Sequence, residues 1–88
     1  MELGFVYACG ILWCRTREQD AAWELVRALN SSDEEIRDMA RIALAEGGAE
    51  SLSFLEMALS TNEITPEQAA PCLLDILAVL PEPVHKVN

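Results

Sequence analysis

The side chains that could act as nucleophiles, proton carriers or soft metal ligands are three cysteines and one histidine: Cys9, Cys14, Cys72 and His85. A nucleophilic Cys72–His85 pair would need a base beside the thiol, but Cys72 has no basic neighbour in sequence to lower its pKa. The four residues do not form the two close pairs that zinc sites use. We therefore predict no catalytic residue, metal or cofactor, and a protein that is not an enzyme.

Two further local patterns have structural explanations. Asp33, Glu34 and Glu35 are consecutive, so on a helix they point in different directions and do not converge on one cation. They suit instead the positive end of a helix dipole. Gly47 and Gly48 follow an apolar helical pattern, which is typical of a helix end rather than of a phosphate-binding loop.

Composition indicates a single small domain with an acidic surface. The 88 residues are 51% hydrophobic, and 15 acidic residues against six basic ones give a formal charge of −9. Such a chain is repelled by phosphate backbones, so we expect no direct nucleic-acid binding. An odd number of cysteines without a disulfide pattern favours a reducing compartment, and we predict a cytoplasmic location.

The N-terminal run from Leu3 to Cys14 carries no charge and predicts an apolar helix over residues 1–16. The run would span about 18 Å as a helix, against about 30 Å of bilayer hydrocarbon. It is apolar on all sides, so a protein partner, a second copy or lipid is needed to cover it. Arg15 and Arg17 directly follow the run and would suit a membrane anchor, which keeps membrane association as an alternative.

The rest of the chain has the apolar periodicity of helices. Residues 20–46 predict a first helical hairpin and residues 49–80 a second, followed by a tail over 81–88. Ser31, Ser32 and Asp33 are alternative N-caps for the helix after the first turn, whereas Thr65 and Gln68 form a capping box. Pro71 lies inside the last helix and predicts a kink or a new helix start. The chain is thus expected to be one all-α domain of four to five helices.

The spacing of twelve residues resembles a HEAT-type helical repeat of the short, lyase-associated kind. These are Leu25, Leu29, Asp33, Ile36, Arg37, Ala40, Ala43, Leu44, Gly48, Leu52, Leu55 and Leu59. The resemblance covers residues 20–60 well and residues 61–80 weakly, because the second unit has a longer turn and no equivalent of Arg37. A generic helical bundle is the alternative.

The resemblance implies stacked antiparallel hairpins in an α-α superhelix, with Asp33 and Arg37 tying neighbouring units together. An exposed ion pair between Asp33 and Arg37 is the alternative role for these two residues. The tetrapyrrole chemistry of the lyase-associated relatives is not expected, because no chemical site of theirs is repeated in this sequence.

We therefore predict a non-catalytic protein-interaction module or small accessory subunit that docks through helix faces. Aromatic residues dominate interface energetics, so exposed Phe5, Tyr7, Trp13 and Trp23 are the expected anchors. One alternative is a membrane-tethered accessory subunit anchored by residues 3–14. A second is an acidic inhibitor that occupies a basic site of a partner.

Overall fold

The computed structural model describes residues 1–80, and the predicted tail over 81–88, with His85, lies outside them. The described chain is all-α, as predicted, and no strand occurs within it. Its five helices are α1 (Leu3–Thr16), α2 (Gln19–Ala28), α3 (Glu34–Gly47), α4 (Ala49–Ser60) and α5 (Pro66–Val79).

The helix ends follow from local side-chain chemistry. The apolar run ends as α1 at Thr16, because Arg17 adopts the left-handed conformation (φ 57°) and its backbone N–H bonds to the carbonyl of Trp13. Among the three candidate caps of α3, Asp33 is the one used: its carboxylate accepts a hydrogen bond from the N–H of Glu35 at 2.9 Å. Thr65 and Gln68 form the predicted capping box of α5.

Helices α3 and α4 follow each other with only Gly48 between them. Gly48 has φ 62°, a left-handed value that glycine adopts without steric cost. The chain therefore changes direction between the two helices within a single residue. This sharp corner brings the start of α4 close to the end of α3 and to the end of α1.

The predicted new helix start at Pro71 is wrong, because α5 runs from Pro66 to Val79 through the proline. Pro71 has no N–H to donate to the preceding turn, which costs about 3 kcal/mol in an isolated helix. Tertiary packing offsets this loss, since Ala69 and Cys72 are fully buried on the two sides of the proline. Burial of the helix face therefore decides the outcome over local propensity.

The helices form two layers, with α1, α3 and α5 side by side in the first layer and α2 and α4 in the second. Each helix contacts its next and its next-but-one neighbour along the chain. The result is an elongated body of 49 × 27 × 21 Å. The core lies between the layers, and its largest fully buried aliphatic side chains are Leu25, Leu44, Leu55 and Ile76.

Candidate partner-binding surfaces

Trp13 is part of the core, so its prediction as an exposed anchor is wrong. Its side chain is only 2% exposed. The indole N–H donates a hydrogen bond to the Ser51 hydroxyl at 3.0 Å, and Ser51 donates in turn to the carbonyl of Leu44. Gly47 lies directly beside the indole, and its lack of a side chain leaves room for the indole ring. Trp13 therefore joins α1 to α3 and α4 instead of facing a partner.

Trp23 is half-buried and is not a free anchor either. Its ring meets Phe54 edge-on at a centroid distance of 5.2 Å, and Trp13 meets the same Phe54 edge-on at 5.3 Å. The phenyl ring thus lies between two indoles that come from different helices. This arrangement assigns Trp23 to the packing of α2 against α4.

Arg17 is a structural residue that the sequence analysis did not identify. Its guanidinium lies 5.2 Å from the centre of the Trp13 ring, donates to the carbonyls of Trp13 and Cys14, and pairs with Glu50. The partner carboxylate is 33 residues away along the chain, so no local pattern indicates the pair. Arg17 therefore covers the indole and fixes the end of α1.

Asp33 and Arg37 act within the turn between α2 and α3. Asp33 caps α3, and the Arg37 guanidinium donates to the carbonyl of Ser31 at 2.8 Å. No ion pair joins Asp33 to Arg37 within residues 1–80. The hydrogen bond that connects this turn to the α4–α5 loop comes instead from Asn30, whose amide donates to the carbonyl of Glu63 at 3.0 Å.

Phe5 and Tyr7 lie on the surface, with 48% and 55% of their side chains exposed. Tyr7 lines a groove of about 340 Å³ between α1 and α3, together with Ile11 and Ile42. Phe5 lies on another side of α1, two helical turns from exposed Leu12. Helix α1 therefore presents apolar side chains in two directions while a third side packs into the core.

A second groove, of about 650 Å³, lies between α3 and α5, and we call it the acidic groove. Its centre holds Arg41, whose guanidinium pairs with Asp75 at 2.9 Å and with Asp38 at 3.3 Å. The hydrogen bond to Asp75 raises the pKa of Arg41, so its positive charge is fixed. The remaining charged groups that the described residues contribute to the groove are the carboxylates of Glu34 and Glu46.

The three thiols are poor nucleophiles in this fold. Burial raises the pKa of Cys72 to about 12, and the neighbouring Asp75 charge adds to the shift. Burial also raises the pKa of Cys9 and of Cys14, with smaller contributions from nearby carboxylates. Within the described residues, no group of three or more His, Cys, Asp and Glu side chains could hold a metal ion.

The raised pKa of Cys72 predicts very slow alkylation in the folded protein. At pH 8 a thiol of pKa about 12 has a thiolate fraction about a thousandfold below that of a free cysteine. We expect iodoacetamide to modify Cys72 at least a thousandfold faster in urea than in buffer, as measured by mass spectrometry of the separate cysteine peptides. Equal rates in the two solvents would contradict the burial of Cys72.

No helix within residues 1–80 is long and apolar enough to cross a membrane. Helix α1 would span about 21 Å, and Val6, Cys9 and Trp13 commit one of its sides to the protein core.

Comparison of the chain with protein-family profiles, with curated proteins and with solved structures gave no match. The resemblance to HEAT-type repeats therefore stays a prediction from residue spacing.

Proposed function

We propose that this chain is a non-catalytic protein-binding module that docks through the exposed apolar side chains of α1. The observation that supports this most directly is the half exposure of Phe5 and Tyr7 in the folded domain. Burying the rest of an aromatic side chain at an interface stabilises a complex more than most other contacts do. The occupant of this surface is a protein partner or a second copy of the chain.

The scaffold of the proposed module is a short HEAT-like stack. In stacked hairpins each helix contacts its next and its next-but-one neighbour along the chain. Helices α1 to α5 show this pattern of contacts. The pairs Ala28–Leu29 and Ala58–Leu59 recur at a spacing of 30 residues, as repeated units would. Unpaired cysteines fit the proposed cytoplasmic location of such a module.

The proposal is tested by affinity capture with a matched pair of surface variants. In one variant Phe5 and Tyr7 are both replaced by Ser, and in the control Met57 and Leu74, which are 54% and 67% exposed, are both replaced by Ser. We expect proteins captured by the wild type to be lost with the α1 variant and kept with the control. Light scattering of each purified variant reports self-association through the same surface.

Retention of every captured protein and of the oligomeric state by the α1 variant would contradict the proposal. Circular dichroism verifies that both variants keep the wild-type helix content. The membrane-tethered alternative predicts a different result: the full chain would partition into the detergent phase.

A further inference from the structure

We propose that the acidic groove between α3 and α5 binds a basic, amphipathic helical segment of a partner protein, about three turns long. This inference rests on the proposed role as a protein-binding module, but it concerns a surface that does not include Phe5 or Tyr7. Four features of the groove identify the class of occupant: its excess charge, its apolar residues, its length and the position of its one cation.

The excess charge requires a cationic occupant. Among residues 1–80, the groove holds four carboxylates and one guanidinium, and Arg41 is already shared by Asp38 and Asp75. Glu34 and Glu46 make no ion pair within residues 1–80. Both are exposed, so a cation can reach them without disrupting the fold. Opposite charges across such a surface select the partner and speed its association.

The apolar residues of the groove exclude a purely polar cation as the best occupant. Ile42 and Val79 line the groove and are 60% and 56% exposed. A metal ion or a polyamine would leave both of these side chains in water. A peptide segment with aliphatic residues on one face and Lys or Arg beside them would cover the apolar residues and neutralise the carboxylates together.

The length of the groove fits a short helix. Glu34 and Glu46 are twelve residues apart on α3, which places them about 18 Å apart along the helix axis. A peptide helix of about twelve residues has the same length. A furrow between two packed helices accepts a third helix, because the side chains of the third fit between the ridges of the other two.

Arg41 determines where the cationic residues of the segment should lie. Its guanidinium already neutralises part of the charge of Asp38 and Asp75, so a Lys or Arg placed opposite it gains less than one placed opposite Glu34 or Glu46. The segment is therefore expected to carry its basic residues near both ends, opposite Glu34 and Glu46, and its aliphatic residues over Ile42. A segment with its basic residues in the middle would bind more weakly.

The test uses a designed, fluorescein-labelled helical peptide with leucines on one face and lysines near both ends. The groove variant is Glu34→Lys with Glu46→Lys, and the matched control is Glu67→Lys with Glu56→Lys. Glu34 and Glu67 both lie in the first turn of a helix, and Glu46 and Glu56 are both exposed, so the net charge change is the same and the dipole cost at the two helix N-termini is alike. Fluorescence anisotropy measures the dissociation constant.

We expect the groove variant to bind at least about tenfold more weakly than the wild type, and the control to stay within about twofold. Val79→Ser, which alters an apolar side chain of the acidic groove that is not in the groove with Tyr7, should weaken binding several-fold without changing the helix content. A peptide of the same sequence with Glu in place of Lys should not bind.

Three outcomes would overturn the proposal: no binding to the wild type, equal weakening by the groove variant and the control, or unchanged binding to Val79→Ser. The second would indicate general attraction to an acidic protein, and the third a simple cation site. None of these outcomes affects the capture experiment with Phe5 and Tyr7, so failure of the groove and failure of the α1 surface are distinguishable.

Discussion

Trp13→Ala is expected to lower the free energy of unfolding by about 3–5 kcal/mol, the usual cost of truncating a buried aromatic side chain. The indole fills the space between the end of α1, Gly47 and Ser51, and the variant would leave a cavity there. A domain of this size has a total stability of about 5–10 kcal/mol. Urea denaturation followed by circular dichroism at 222 nm measures the loss.

Trp23→Ala is the matched control, because both indoles contact Phe54 edge-on at nearly the same distance. Trp23 is half-buried, so we expect its truncation to cost less than half as much. If Trp13→Ala were no more costly than Trp23→Ala, the indole of Trp13 would not be part of the core. Trp13 would then return as a candidate partner anchor.

The helical framework could be predicted from the sequence because its determinants are local. Apolar residues at helical spacing predicted the helices α2 to α5, and Ile36 and Leu55, which belong to these patterns, are buried. Thr65 with Gln68 and Gly48 set helix ends through hydrogen bonds and backbone angles that involve only a few neighbouring residues. Such signals do not depend on how the helices pack.

The inner side of α1 could not be predicted, because a helix that is apolar all round has no periodicity to read. Whether Trp13 or Tyr7 faces the core depends on residues elsewhere in the chain. Gly10 lets α1 approach α3 closely, since a Cβ there would lie 3.1 Å from the Cβ of Ala43. The hydrogen bond from Trp13 to Ser51 joins residues 38 positions apart.

The acidic groove also could not be predicted from local sequence patterns. Its two walls come from α3 and α5, and the pair that defines its centre, Arg41 with Asp75, is separated by 34 residues. The overall charge of −9 indicated an acidic surface, and a basic partner was one of the alternatives. Only the packing of the two helices places the carboxylates around apolar residues in one groove.

Gly47→Ala is expected to destabilise the protein, although helix propensity alone predicts that this substitution stabilises it. Gly47 is the last residue of α3, and replacing a helical glycine with alanine usually stabilises a helix by up to about 1 kcal/mol. Here the new Cβ would overlap the indole nitrogen of Trp13 and the hydroxyl of Ser51. Both neighbours are buried, so we expect a loss of about 2–3 kcal/mol in urea denaturation, as for other overpacked cores.

Gly4→Ala is the control for this variant, because a Cβ at Gly4 would meet nothing within 4 Å. We expect Gly4→Ala not to lower the free energy of unfolding, and helix propensity alone predicts a small increase. The steric cause is isolated by repeating Gly47→Ala in a Trp13→Phe background, where the smaller ring leaves room for the added methyl group. The added methyl group and the indole of Trp13 compete for the same space. The stability losses of Gly47→Ala and Trp13→Phe should therefore be strongly non-additive in the double variant. If the two losses simply added, the cost at Gly47 would come from Ser51 or from the backbone, and the space beside Trp13 would not explain why glycine stands there.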